Sequence, residues 1–249
     1  MIGRIKKDKV LLDKKAVENF FSKRTEKKLP HRYNYVIYQD DNPNLAIKRD
    51  KYEKEKITKL LNIGDNTTVL DIGCGVGRWA DEIKNTNIKK YVGIDFTSDF
   101  LKIARENFQN EDRFEFVEGA FQDLDRILIE NKCISEYDFI FINGVCMYVN
   151  DDEIDGCLQS VANHVNANGR IYIKEGVAAN DRFTLKDFNS QELSATYNAI
   201  YRSLTECKKL IEKHFPITNW VVEIEAPTWP EDLENRKETL NYFWIIRRR

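Results

Sequence analysis

The chain has 249 residues, of which 42% are apolar and 32% charged, enough for one large α/β domain with appendages and short for two typical enzyme domains. Acids and bases nearly cancel, to a formal net charge of -2, so there is no general electrostatic drive toward nucleic acid or an anionic membrane, and the apolar content excludes a disordered chain. Five scattered cysteines with no CxxC pair or His/Cys cluster speak against a zinc site or disulfide framework, and without a signal-peptide core or an apolar run of roughly eighteen residues the chain reads as cytoplasmic.

In chain order, Arg4 to Lys9 reads as a solvated basic terminus, as does Arg247 to Arg249 at the other end. Ala16, Val17, Phe20 and Phe21 recur at helical spacing and predict a helix over 14–27; Ala46, Tyr52, Ile57, Leu60 and Leu61 predict a less regular one over 45–61. The connection LPHRYNYVIYQDDNPN between them, with two prolines and three tyrosines, reads as a loop with a task. From Thr67, strands and helices alternate: TVLDI, a helix near 77–84, KYVGID, a helix near 99–110, FEFVE, a short helix near 121–129, YDFIFI, a helix near 152–164, and RIYIKE. Such β-rich runs separated by helices predict a parallel sheet covered on both faces. A polar stretch over 176–191 then leads into a long helix predicted over 193–213 from the stripe Leu204, Cys207, Leu210 and Ile211, and NWVVEIEA and LNYFWII close the chain as a pair of strands.

The segment VLDIGCGVGRWA places Gly73, Gly75 and Gly77 at alternate positions between the first of these strands and its helix. A turn of this kind lets a ligand reach the backbone at the start of a helix. The dinucleotide fingerprint G-x-G-x-x-G fails because position 78 is arginine, and Asp71 adds a carboxylate that would repel a diphosphate but can hold an ammonium group. Asp95 closes the second strand, where a carboxylate can accept hydrogen bonds from ribose hydroxyls. A ligand with an adenosine, an amino-acid ammonium and no phosphate is S-adenosylmethionine.

On these residues, the stretch 67–175 resembles the class I S-adenosylmethionine-dependent methyltransferases, whose first motif reads V-L-D-x-G-x-G-x-G and whose second strand ends in an acid. The resemblance implies a Rossmann-like α/β fold with a seven-stranded, mostly parallel sheet in the order 3-2-1-4-5-7-6, strand seven alone antiparallel. It implies S-adenosylmethionine as cofactor, S-adenosylhomocysteine as product, and cofactor contacts at Asp71, Gly73, Cys74, Gly75 and Arg78 around the turn and at Asp95 and Phe96 for ribose and adenine. Many relatives carry an acid for the adenine amino group after the third strand. Ala120 stands there in this chain, so adenine recognition falls to the Phe121 N–H and Gln122, or Phe121 is simply core. Asn143 is expected under the methionine part. A helical cap over 1–62 would precede a cofactor-binding domain over 63–249, itself carrying a substrate lid at about 176–203. From the cap, Tyr38 is expected near the sulfonium by cation–π attraction and Arg49 at the cofactor carboxylate.

Methyl transfer from a sulfonium is an in-line displacement, so alignment supplies most of the catalysis, roughly 7–11 kcal/mol. A general base adds about two to four powers of ten where the nucleophile is a hydroxyl. Asn143 to Tyr148 follow the fourth strand, at the rim where ligands bind in such folds. Relatives read N-G-V-x-x-H there, so Tyr148 stands where a histidine often faces the substrate; its other reading is an amphipathic ring packed under the next helix. Glu175 is a candidate base or a rim ion-pair partner. Arg182, Tyr197, Tyr201 and Arg202 are candidate substrate ligands, with the tyrosines and Arg202 on one helix face, or else belong to a solvated helix. The absence of N/D-P-P-Y/F weighs against nucleobase or amide acceptors, and Asn143 and Glu175 are too poor a set for a metal. YQDDNPNLAIKRDKYEKEKI and TYNAIYRS resemble small-molecule methyltransferases of bacterial surface-polysaccharide pathways. That implies a small-molecule partner methylated on oxygen: a sugar, a phosphorylated glycan precursor or a nucleotide conjugate. The alternatives are an N-methyltransferase acting on an amine, peptide or protein terminus, and a non-catalytic S-adenosylmethionine-binding module. The oligomeric state stays open.

Overall fold

The computed structural model describes residues 3–61 and 63–249, so the expected boundary between cap and main domain, at residue 62, lies outside the described residues. The N-terminal segment forms a short strand, β1 (Arg4–Lys6), and two helices, α1 (Lys14–Ser22) and α2 (Pro43–Leu61). Asp13 starts α1 by accepting the Lys15 and Ala16 N–H groups on its carboxylate, and Pro43 opens α2, where a missing N–H leaves no helical bond unmade. The last predicted turns of α1 are instead a 3-10 turn over Lys23–Glu26.

The alternation then runs as expected: β2 (Thr68–Ile72), α3 (Arg78–Ile83), β3 (Lys90–Asp95), α4 (Ser98–Asn107), β4 (Phe114–Glu118), α5 (Leu124–Glu130), β5 (Tyr137–Asn143), α6 (Ile154–Asn163) and β6 (Val165–Ala178). After β6 the expectation fails. The stretch 176–191 carries a strand, β7 (Phe183–Ser190), and the predicted long helix is divided into β8 (Ala195–Tyr201) and α7 (Leu204–His214). Tyr197 and Tyr201 are four apart, a spacing that suits one helix turn or two strand repeats equally, and the real apolar stripe of α7 was extended back across them. The decisive signal was SLTE: Ser203 and Glu206 form a reciprocal capping box that starts the helix at Leu204. β9 (Trp220–Pro227) and β10 (Thr239–Arg248) complete the chain.

The main sheet has the order β4-β3-β2-β5-β6-β10-β9, with β10 antiparallel to both neighbours and the other pairs parallel. Numbered by themselves, its strands read 3-2-1-4-5-7-6, the order the resemblance implies. Alternate residues serve opposite faces. Leu70, Ile140, Ile142, Ile171 and Ile173 pack toward α5, α6 and α7, whereas Val69, Phe139, Phe141 and Tyr172 pack toward α2, α3 and α4. A second, antiparallel sheet, β1-β7-β8, joins α1 in a separate apolar cluster that includes Phe20, Phe21, Phe183, Tyr197 and Tyr201. The charged residues of Arg4 to Lys9 are exposed, as expected, but the segment is ordered by strand pairing: Arg4 lies opposite Leu185, ion-pairs with Glu238 and sits 5.3 Å from the Phe183 ring centre. At the other end, Arg247 pairs with Glu223. Among the described residues no helix is long and apolar enough to cross a membrane.

Candidate active site

The glycine turn lies at the C-terminal end of β2, in the centre of the sheet. Gly73, Gly75 and Gly77 have φ of +71°, +55° and +80°, the left-handed region that side chains disfavour. Space matters as well: a Cβ on Gly73 would stand 2.4 Å from Val145 Cγ2, and one on Gly75 would stand 2.7 Å from Val36 Cγ1. Two other parts of the protein, the loop after β5 and the N-terminal segment, therefore close directly onto the turn. Between them lies a cavity of about 600 Å³, within the range of small-molecule sites, about 300–1,000 Å³.

Asp71 and Asp95, both buried, line this cavity. Asp95 accepts the Gly75 N–H (2.9 Å) on one oxygen and the Thr97 N–H (2.8 Å) on the other, which fixes the carboxylate and leaves lone pairs on both oxygens. Burial raises its pKa, against the lowering effect of those two bonds. Asp71 accepts the Tyr91 hydroxyl (2.6 Å), and burial pushes its pKa up to about 7. An acid of that kind invites a cation. Gly73, Cys74, Gly75, Phe96, Ala120, Phe121 and Gln122 also line the cavity. Phe121 is buried within the core as well, and Gln122 donates a long hydrogen bond (3.4 Å) to Glu153.

Sequence reasoning missed the support beneath the turn. Glu53 of α2, fully buried, accepts from Arg78, Asn143 (2.8 Å) and Tyr172 (2.9 Å) and ion-pairs with Lys174 (3.4 Å). Despite burial, these partners hold its pKa down, to about 2. Arg78 and Asn143 border the cavity, but their polar groups are engaged here: Arg78 with Asp50 and Glu53, Asn143 with Glu53. One acid among three in a polar helix gave no sign of this. Arg49, also on α2, borders the cavity with bonds to the Leu233 carbonyl (2.7 Å) and Asn235 (3.0 Å).

Two other expectations are corrected. Glu175 does not border the large cavity; it accepts the N–H groups of Val145 (3.0 Å), Cys146 (2.9 Å) and Met147 (3.3 Å) and so ties down the loop after β5. Strand parity is the reason. Glu175 shares the face of Ile173, whereas Lys174 shares that of Tyr172 and borders the cavity. Arg182 and Arg202 are likewise absent from the cavity wall. Both are buried and ion-pair with Asp151, Arg182 also with Glu206, and Arg202 donates to the Cys146 and Val149 carbonyls. They tie the ends of the β7-β8 pair to Asp151 and α7 rather than present forks to the cavity.

The tyrosines do converge. Tyr38, Tyr148, Tyr197 and Tyr201 all border the cavity, and the Tyr148 and Tyr197 hydroxyls are 2.7 Å apart. Phe21 of α1 stands against the Tyr148 ring at 4.9 Å and the Phe96 ring at 5.3 Å, so this helix forms part of the cavity wall. Burial raises the pKa of each of the four phenols, which keeps them neutral donors. No group of three or more His, Cys, Asp or Glu side chains suited to a metal occurs among the described residues.

A family described as a methyltransferase domain matches residues 63–236. Over 147 residues the chain is 26% identical to phosphoethanolamine N-methyltransferase 1 of Zea mays, covering 58% of this chain and 28% of that one. It is 30% identical over 94 residues to demethylmenaquinone methyltransferase of Bacillus licheniformis, covering 36% and 40%. Among solved structures, Haemonchus contortus phosphoethanolamine N-methyltransferase 1, in complex with phosphoethanolamine and S-adenosylhomocysteine, superposes with a TM-score of 0.70 at 17% identity, covering 94% of this chain and 48% of that one. The chain thus spans well under two thirds of each of these relatives.

Proposed function

This chain belongs to the S-adenosylmethionine-dependent methyltransferases, and we propose that within that class it methylates the nitrogen of a small polar amine. One observation carries the choice of nucleophile: the Tyr148 hydroxyl, on the cavity wall, bonds the Tyr197 hydroxyl (2.7 Å) and has no carboxylate or imidazole partner among the described residues. None of the three histidines borders the cavity, and Glu175 spends its oxygens on backbone N–H groups. A hydroxyl acceptor needs a base at this point. An alkylamine, with a pKa about three units above neutrality, can lose its proton to water before transfer at a cost of about 4 kcal/mol. Neutral phenols then orient the amine through hydrogen bonds, and their faces favour a positively charged methylated product.

When bound, the cofactor supplies an electrophilic methyl group on a sulfonium. The residues suited to hold it are Asp95 for the ribose hydroxyls, the open turn at Gly73 to Gly75 for close backbone approach, and Asp71 for the ammonium. Phe96, Ala120, Phe121 and Gln122 form the adenine end, and Tyr38 stands over the reacting end. The chain's own contribution is alignment and the exclusion of water by α1, the Val36 to Gln39 segment and the β7-β8 pair.

The acceptor is tested by incubating the protein with S-adenosylmethionine and matched acceptors that differ only in an amine or a hydroxyl, phosphoethanolamine and ethylene glycol phosphate among them, and reading added methyl groups by mass spectrometry. The amine gains methyl, and Tyr148→Phe slows the gain without changing S-adenosylhomocysteine affinity. Methylation of a sugar or glycan-precursor hydroxyl instead would overturn this choice in favour of the oxygen acceptor inferred from the lid sequence.

A pH dependence follows from Asp71. Its carboxyl is protonated below about pH 7, and an arriving ammonium favours the ionised form. Binding of S-adenosylhomocysteine should therefore release a proton near pH 6 and weaken as pH falls, approaching tenfold per unit, a trend that Asp71→Asn removes. Calorimetry in buffers of different ionisation enthalpy measures both effects, and an affinity flat between about pH 5 and 7 would count against the contact.

A further inference from the structure

Lys174 and Trp229, which no expectation from the sequence singled out, join Arg49 in one corner of the cavity. Lys174 and Arg49 are 8% and 4% exposed, and both lie on the Trp229 ring, the ammonium 4.5 Å and the guanidinium 4.4 Å from its centre. The three residues come from the end of β6, the first turns of α2 and the connection between β9 and β10, and all border the cavity. The Lys174 ammonium carries three donors and uses one, in a long contact of 3.4 Å with Glu53. Arg49 commits Nε to the Leu233 carbonyl and Nη2 to Asn235, with Glu234 at 3.7 Å, and Nη1 makes no hydrogen bond among the described residues.

Neither cation has a close counter-charge of its own: the carboxylate oxygen paired with Lys174 is 3.4 Å away and belongs to Glu53, which Arg78 shares, and the one paired with Arg49 is 3.7 Å away on Glu234. Buried charge without a counter-charge is costly, and open donors on both cations face one cavity. We propose that this corner is an oxyanion subsite, in which Lys174 and Arg49, held on the Trp229 ring, bind a carboxylate or phosphoryl group of a ligand in the cavity. Burial lowers the Lys174 pKa, which is the response of an ammonium that lacks a full partner.

The inference rests on the reading that this cavity takes the sulfonium cofactor and a small acceptor, either of which can bring the oxyanion: the cofactor its carboxylate, the acceptor a phosphoryl group. Binding of S-adenosylhomocysteine to the wild-type protein checks that reading independently. The test is Lys174→Met, which keeps the length of the side chain and removes the charge, with Lys174→Arg as the conservative control and thermal melting to confirm folding. If the cofactor supplies the group, Lys174→Met weakens S-adenosylhomocysteine about 10- to 100-fold, Lys174→Arg restores much of it, and 5′-methylthioadenosine, which lacks the amino acid, is unaffected. If the acceptor supplies it, S-adenosylhomocysteine is unaffected and phosphoethanolamine binding to the S-adenosylhomocysteine complex falls by a similar factor. A variant that leaves S-adenosylhomocysteine unaffected with no loss of phosphoethanolamine binding, or that weakens 5′-methylthioadenosine in step with S-adenosylhomocysteine, overturns the proposal.

Discussion

Asp95→Ala is expected to abolish measurable binding of S-adenosylhomocysteine, a loss of more than about a hundredfold. The carboxylate does two things at once. Its oxygens hold the Gly75 and Thr97 N–H groups, which fixes the approach angle of the turn, and their remaining lone pairs are placed for two ribose hydroxyls. Hydrogen bonds to a charged group are worth about 1.5–3 kcal/mol each, and alanine deletes all of them while freeing a backbone donor in a buried turn. Asp95→Asn, which keeps the shape and one oxygen, should retain part of the affinity. Calorimetry reads the series directly, and an alanine variant that binds as tightly as the wild type would remove Asp95 from the cofactor site.

Replacing Glu53 should be the most damaging change to stability. Glu53→Ala leaves Arg78 and Lys174 buried without their shared counter-charge, for which about 3–5 kcal/mol is expected. In a domain of this size that lowers Tm by roughly 10 °C. The pH profile separates charge from shape. The folded pKa of Glu53, about 2, lies below its ordinary value of 4.5, so its stabilisation is fully present above pH 4.5 and is lost as pH falls through about 2. The wild type should exceed Glu53→Gln by about 3 kcal/mol near neutrality, and the gap should close on acidification across that window. Denaturant titrations at several pH values measure it. A gap that did not change with pH would mean that folding leaves the pKa of Glu53 unshifted, and one that widened on acidification would mean that the buried carboxyl is neutral.

Each strand of the main sheet was legible because its signal is local. VLDI, YVGID and FIFIN are short β-rich runs between helices, and the glycines of the turn announce left-handed backbone whatever surrounds them. The lid was misread because its local signal was ambiguous: tyrosines four apart fit a helix or a strand, and β8 is a strand only because β7 pairs with it across a turn. The same limit produced the choice of Glu175 over Lys174. Composition favoured a carboxylate as the functional group, yet adjacent strand residues face opposite ways, and sheet position alone decides which one meets the cavity.

By itself the sequence determined the run of strands and helices and the placing of Asp71, the glycines and Asp95 at strand ends, because these follow from interactions among residues close in the chain. The sheet order was implied by the resemblance to the class I family, and the structure has that order. Only the tertiary structure decided that Glu53 underpins the turn, that Arg182 and Arg202 pair with Asp151, and that Lys174, Arg49 and Trp229 share a corner. Those groups are far apart in sequence, and what fixes their partners is the scarcity of counter-charges in a buried interior, a property of the packed protein that no stretch of chain carries alone.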